Sequence, residues 1–335
     1  MREAACGLKI IFLYTFFNKV MLLKGRIMKM LLQLRIIPLL SLFFFAMFFY
    51  DFADAKGQSM VYQITLNNTI RSYIVYKPLV TGTKGLPLMI VLHGGLGNAE
   101  HIEKMTGMNE IADTGKFLVA YPNGTEGRFA LMKNKRTWNA GRCCGQAVKQ
   151  KVDDVFFIKK MIEDIHTKFL IDTRRVYVTG MSNGAMMAYR LACEIPDKIA
   201  AIIPVSGTLA VDNCDKAKDI PVLHIHGDQD KNVPFAGGRG EAGVEKVGHR
   251  SVPDTMKLIL QARQCSPPER KTLNGNIQIF SYCCSNGAPV VLYIIKGGGH
   301  VWPGGKERSG RDCGSRYFSA SKLAWEFAKQ FSKTR

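Results

Sequence analysis

Six short apolar runs, each closed by a turn built on Gly or Pro, constrain the fold of this chain most strongly. They are residues 86–92, 117–121, 175–179, 199–205, 221–225 and 290–295. Each is nearly unbroken in apolar side chains, without the polar alternation of a strand that has one wet face. Such runs are expected in a parallel sheet covered on both faces. Helical spacing lies between them. Residues 152–169 place Val155, Phe156, Ile158, Ile162 and Ile165 largely on one face, and residues 183–193 and 319–331 read as two further helices. Strands alternating with helices predict βαβ units wound right-handedly on both sides of a mostly parallel sheet, an α/β fold. Ahead of it, residues 61–66 and 70–76 flank Asn67-Asn68 and read as a β-hairpin. Residues 231–260 are looser and read as a loop or lid insertion. No Pro/Ser-rich linker divides residues 56–335, so a single domain is expected there.

Residues 1–55 stand outside this pattern. Residues 36–50 carry no charge, Lys29 and Arg35 precede them, and Ala53 and Ala55 follow with A-x-A spacing. That is the pattern of a secretory signal with cleavage after Ala55, and Met28 would give a leader of ordinary length. Fifteen apolar residues fall short of the roughly 20 of a membrane span. The expectation is a secreted, periplasmic or extracellular protein with no stable membrane span once the leader is removed.

The whole chain carries 46 basic and 27 acidic side chains. Without the leader 39 and 24 remain, a net charge of +15. Charge alone supports only weak, salt-dependent attachment to polyanions, and no nucleic-acid-reading motif accompanies it. Eight of nine cysteines survive removal of the leader, an even number that fits disulfides in an oxidising compartment. There is no C-x-x-C pair, and His224-x-His226 lies inside a strand-like run, so the expected zinc spacings are missing. Neither a metal nor a cofactor is expected.

Chemistry enters at Gly180-Met181-Ser182-Asn183-Gly184. A G-x-S-x-G sequence places a nucleophilic serine on a sharp strand-to-helix turn, where the small flanking residues let strand and helix approach. Here the strand-like RVYVT precedes it and the helix-like AMMAYRLAC follows. Serine needs a base, and the base needs an orienting acid. In the chain order Ser, acid, His, two acids follow one later strand, Asp228 and Asp230, and two histidines lie beyond, His249 and His300. His300 sits in a glycine-rich loop directly after a strand and is preferred as base. His249 lies in the loose insertion among basic residues and reads as solvent-facing. Asp230, deeper in its loop, is preferred over Asp228, which could cap the turn. The N–H of Asn183 is one expected oxyanion donor and the N–H of Gly95 the other, with Leu96 as the near alternative. His93 reads as a hydrogen-bonded structural side chain. Asp153-Asp154, at a helix start, reads as structural too. Trp138 and Trp302 stand in glycine-flanked loops and are candidate substrate contacts.

The segments LHGGLGNA, TWNAGRCCG, VDDVFFIKKMI, RVYVTGMSNGAMMAYRLAC, PVLHIHGDQDKNVPF and GGGHVWPGG carry a resemblance. Over about residues 60–330 the chain resembles the secreted polyhydroxybutyrate depolymerase-like esterases, which include feruloyl and acetylxylan esterases of carbohydrate esterase family 1. The resemblance implies an α/β-hydrolase fold and a triad of Ser182, Asp230 and His300. In the family pattern HGTxDxxVP the acid precedes xxVP, which is Asp230 here. Asp228 stands where the pattern has Thr, and Cys283 and Cys313 look like additions to the usual cysteine set. A Cys265–Cys284 bond is also implied. The expected activity is hydrolysis of carboxylic esters through an acyl-enzyme, on hydroxyalkanoate oligomers or polysaccharide-linked acyl groups. An amidase or peptidase on the same fold, and a basic polyanion-binding surface protein without turnover, are the alternatives.

Overall fold

A computed structural model describes residues 56–80, 85–127, 134–243, 247–261, 263–306 and 318–334. The leader, its cleavage site and Cys313 lie outside the described residues. The described residues open with the hairpin β1 (Gln58–Leu66) and β2 (Thr69–Lys77). Asn67 and Asn68 both adopt positive φ, 47° and 61°, the two-residue turn whose twist matches the flanking strands. Then follow β3 (Leu88–Leu92), α1 (Ala99–Thr106), α2 (Met108–Gly115) and β4 (Leu118–Pro122). A two-stranded ribbon, β5 (Thr125–Glu126) and β6 (Arg136–Thr137), precedes the short α3 (Gly145–Lys149) and the long α4 (Asp154–Phe169). Next come β7 (Val176–Met181), α5 (Asn183–Glu194), β8 (Ala201–Val205) and β9 (Val222–Gly227). A second ribbon, β10 (Gly238–Arg239) and β11 (Gly248–His249), leads to α6 (Val252–Gln261). The described chain closes with β12 (Glu269–Leu273), β13 (Ile277–Tyr282), β14 (Val290–Ile295) and α7 (Ala320–Ala328).

Among the described residues ten strands form one sheet in the order β1-β2-β4-β3-β7-β8-β9-β14-β13-β12. The six from β4 to β14 run parallel, and an antiparallel hairpin flanks each side. All five residues of β3 are buried. Leu88, Ile90 and Leu92 join the core beneath α4 and α5, while Met89 and Val91 join the core beneath α1, α2 and α7. This two-sided burial is the physical reason that the central strands are continuously apolar. The chain leaves β3 for β4 on one side and later returns to β7 on the other. That reversal opens a crevice at the carboxyl ends of β3 and β7.

Two local expectations, on Phe156 and on residues 231–260, need correction. Phe157 and Met161 fill the core face of α4, whereas Phe156 is only partly buried. The insertion at 231–260 is not all loop: α6 buries Val252, Met256 and Ile259. The β12–β13 hairpin had no counterpart in the apolar pattern. β12 is ERKTL, exposed along most of its length, so burial left no mark on its sequence. Cys265–Cys284 and Cys193–Cys214 are bonded, as are the adjacent Cys143 and Cys144. Asp154 is structural: it lies buried, pairs with Arg71 at 2.7 Å and accepts the Asn139 N–H at 2.8 Å. Asp153 caps α4 by accepting from the Phe156 N–H.

Candidate active site

β7 runs almost directly into α5, and Ser182 makes the turn with φ 56° and ψ −120°. A non-glycine residue held there costs about 1–3 kcal/mol and persists only where its surroundings impose it. The glycines impose it by close approach. A Cβ on Gly180 would lie 2.8 Å from the Gly184 backbone, and one on Gly184 would lie 2.3 Å from the Leu92 carbonyl oxygen. Gly184→Ala must therefore push helix α5 off strand β3. Its expected cost is about 3 kcal/mol, read as a clear fall in thermal midpoint. A midpoint within about 2 °C of the parent would contradict this packing.

The loops after β9 and β14 meet beside Ser182. The His300 Nδ1–H donates to Asp230 Oδ2 at 2.7 Å, which leaves Nε2 as the nitrogen free to accept a proton. Asp230 Oδ1 accepts the N–H groups of Asn232 and Val233, both at 2.8 Å. Burial pushes the Asp230 carboxyl up, but the His300 hydrogen bond and its backbone donors outweigh it and hold the group below the usual carboxylate value. Asp228 does a different job. It accepts the Gly297 N–H at 2.7 Å, and the neighbouring Gln229 N–H reaches the Gly298 carbonyl at 2.9 Å. The acid loop is thereby latched to the base loop.

Behind Asp230 lies a buried chain that the sequence did not announce. The Val233 carbonyl can only accept, so His226 Nε2, 2.8 Å away, carries a proton. His226 Nδ1 then accepts from His224 Nε2–H at 3.1 Å, and His224 Nδ1 accepts from the Tyr189 hydroxyl at 2.8 Å. The chain starts on α5 and ends at the acid loop. Burial pushes both imidazoles down, His224 well below the ordinary value, so both are held neutral. His93 is also fully buried: Nδ1–H donates to the Gly94 carbonyl, Nε2 accepts the Gly124 N–H, and burial brings its pKa to about 3. Such imidazoles stay neutral when folded yet take a proton when unfolded, so stability falls as pH drops below the ordinary 6.5. His93 alone should lose about 2 kcal/mol between neutrality and pH 5, and His224 and His226 act in the same direction. Thermal melts should fall by several degrees between pH 6.5 and 5. Equal midpoints would contradict the neutral assignment.

The loop after β3 supplies the opposite wall. The Leu96 N–H is already bonded to the Arg136 carbonyl at 2.8 Å, which removes Leu96 as a donor and leaves Gly95. Gly95 and Asn183 line the same cavity, and the Asn183 N–H lies in the first turn of α5, where no intrahelical acceptor exists. The Asn183 side chain is fixed by a reciprocal pair with the Trp138 backbone, at 2.7 and 3.0 Å. Ser182, His300, Gly95, Met105, Met186 and His249 all face this cavity of 280 Å³. His249 thus differs from expectation, because the β10–β11 ribbon turns it to the cavity.

The two tryptophans are corrected as substrate contacts. Trp138 has no exposed surface; its Nε1–H donates to the His93 carbonyl and its ring stacks on Phe157. Trp302 is 4% exposed, and its Nε1–H donates to Ser321 Oγ. Neither lines the cavity. Large rings in glycine-flanked loops are here the plugs that close the core beneath those loops.

Residues 71–234 match the family profile described as esterase PHB depolymerase. The chain is 29% identical over 259 residues to feruloyl esterase B of Piromyces equi, covering 75% of this chain but 43% of that protein. It therefore spans less than half the length of that relative. It is 31% identical over 240 residues to the putative esterase NocK of Nocardia uniformis subsp. tsuyamanensis, covering 66% of this chain and 67% of that protein. Among solved structures, the acetyl xylan esterase from Aspergillus awamori superposes with a TM-score of 0.53 at 16% identity, over 72% of this chain and 94% of that one. The feruloyl esterase module from Clostridium thermocellum gives 0.52 at 13%, over 84% and 91%. These likenesses establish an α/β-hydrolase fold, and with the profile match and the relatives above, the chain belongs to the esterase PHB depolymerase family.

Proposed function

We propose that this chain is a secreted serine esterase that cleaves carboxylic esters through an acyl-enzyme on Ser182. The observation that carries this reading is the meeting of the strained Ser182 turn and the His300–Asp230 pair in one cavity. His300 Nε2 takes the Ser182 proton as Oγ attacks the ester carbonyl. The N–H groups of Gly95 and Asn183 receive the developing oxyanion. Asp230 keeps the imidazole in its productive tautomer and stabilises the imidazolium. His300 then protonates the leaving alcohol, and water activated by the same imidazole releases the acid. The chemistry requires no cofactor.

The cavity is at the small end for ligand sites. It suits one acyl group with the rest of the substrate outside. Relatives bearing the names feruloyl esterase, acetylxylan esterase and poly(3-hydroxyalkanoate) depolymerase support an ester substrate, either a polysaccharide-linked acyl group or a hydroxyalkanoate oligomer. Among the described residues no helix is long and apolar enough to cross a membrane. The test is hydrolysis of methyl ferulate, p-nitrophenyl acetate, p-nitrophenyl butyrate and a 3-hydroxybutyrate trimer by the oxidised protein, with Ser182→Ala as control. Turnover of at least one ester, lost in the variant, is expected. Turnover of none would overturn the reading.

A further inference from the structure

Several polar side chains of the cavity take no part in the proposed reaction, among them His101, Thr137, Asn232 and His249. His249 ends the β10–β11 ribbon, paired through its backbone with Gly238. Its ring faces the cavity that contains Ser182 and His300. Among the described residues its ring makes no hydrogen bond, and the residue is only partly buried. This contrasts with His93, His224 and His226, whose ring nitrogens are both bonded within the protein. It lies near enough to Asp230 and His300 to sense their charges, and burial lowers its pKa, so the ring is neutral near pH 7. A neutral imidazole offers one donor and one acceptor. That matches a hydroxyl, which also has one of each, better than a carboxylate, which only accepts.

Position decides which half of the ester is met. The ribbon that carries His249 is tied to the acid loop that holds His300: the Ala242 N–H donates to the Lys231 carbonyl and Asn232 Nδ2 to the Ala242 carbonyl, both at 3.1 Å, and Asn232, Val233 and His249 line this wall of the cavity. His300 is the group that hands a proton to the leaving alcohol, so this wall fronts the alcohol half. Met105 and Met186 line the same cavity and give it apolar surface. Resting on the esterase reading above, we propose that His249 is a specificity-determining residue that hydrogen-bonds a hydroxyl adjacent to the scissile oxygen. The enzyme would accordingly favour acyl esters of polyols and sugars over esters of plain alkyl alcohols.

Two matched ester pairs test this: glyceryl monoferulate against propyl ferulate, and glyceryl monoacetate against propyl acetate. Within each pair the acyl group and alcohol length are constant and only the hydroxyls differ. The parent should favour the glyceryl ester in kcat/KM by about tenfold, the worth of one hydrogen bond to a half-buried partner. His249→Phe should bring that ratio near one, chiefly by raising KM for the glyceryl ester, with the propyl ester within about twofold of the parent. His249→Gln, which keeps a donor and an acceptor, should restore part of the preference. Turnover that depends on Ser182 but shows the same ratio in parent and His249→Phe would overturn the His249 assignment alone. Absence of Ser182-dependent turnover of all four esters would overturn the esterase reading and this inference with it.

Discussion

Ser182→Ala should lower kcat on any accepted ester by between about 10⁴- and 10⁶-fold while leaving the thermal midpoint unchanged. The size follows from the division of labour. Without Oγ no acyl-enzyme forms, and only substrate binding and the oxyanion donors still act on the bound ester. The unchanged midpoint follows from geometry. Alanine keeps the Cβ that serine already holds at φ 56°, and the Ser182 side chain makes no cap hydrogen bond to α5 that the substitution would remove. Activity lost together with stability would indicate a disturbed turn and not a missing nucleophile. Residual activity above about 1% would mean that another group carries the chemistry.

The second large effect separates the two acids after β9. In Asp230→Asn the amide oxygen must stay where it accepts the Asn232 and Val233 N–H groups. The NH₂ group then faces His300 Nδ1, which can only answer as an acceptor. That forces the imidazole proton onto Nε2, the nitrogen required to take the serine proton. Near neutrality kcat should fall by about 10³- to 10⁴-fold. Asp228→Asn should stay within a few-fold of the parent, because an amide oxygen still accepts from Gly297 N–H and the side chain is partly exposed. Equal losses in the two variants would contradict the assignment of Asp230 as the orienting acid.

The sequence made the central strands legible because burial on both faces leaves only apolar residues. The reactive turn was legible for a different reason: the close approach of Gly180 and Gly184 admits no side chain at either position. The β12–β13 hairpin was not legible in the apolar pattern, since a wet edge strand tolerates ERKTL. Nor was the lining of the cavity beyond Gly95, Ser182, Asn183 and His300. Whether Trp138 faces substrate or core depends on how its loop folds over β3, and the reciprocal bonds with Asn183 fix that only in three dimensions. His249 was misread for the same reason. Its basic neighbours suggest solvent, but a two-residue ribbon turns its ring inward. The Tyr189–His224–His226 chain begins with a bond between residues 35 positions apart, and its direction follows from the Val233 carbonyl, which no side-chain pattern encodes.

The most direct test of the account is the covalent intermediate itself. The protein would be mixed with excess p-nitrophenyl butyrate, quenched in acid within the first turnovers, and digested for mass spectrometry. Up to one butyryl group per chain is expected, on the peptide that contains Ser182, with a matching burst of p-nitrophenol and neither signal in Ser182→Ala. Steady hydrolysis with no burst and no acylated peptide, or acylation at a residue other than Ser182, would contradict it.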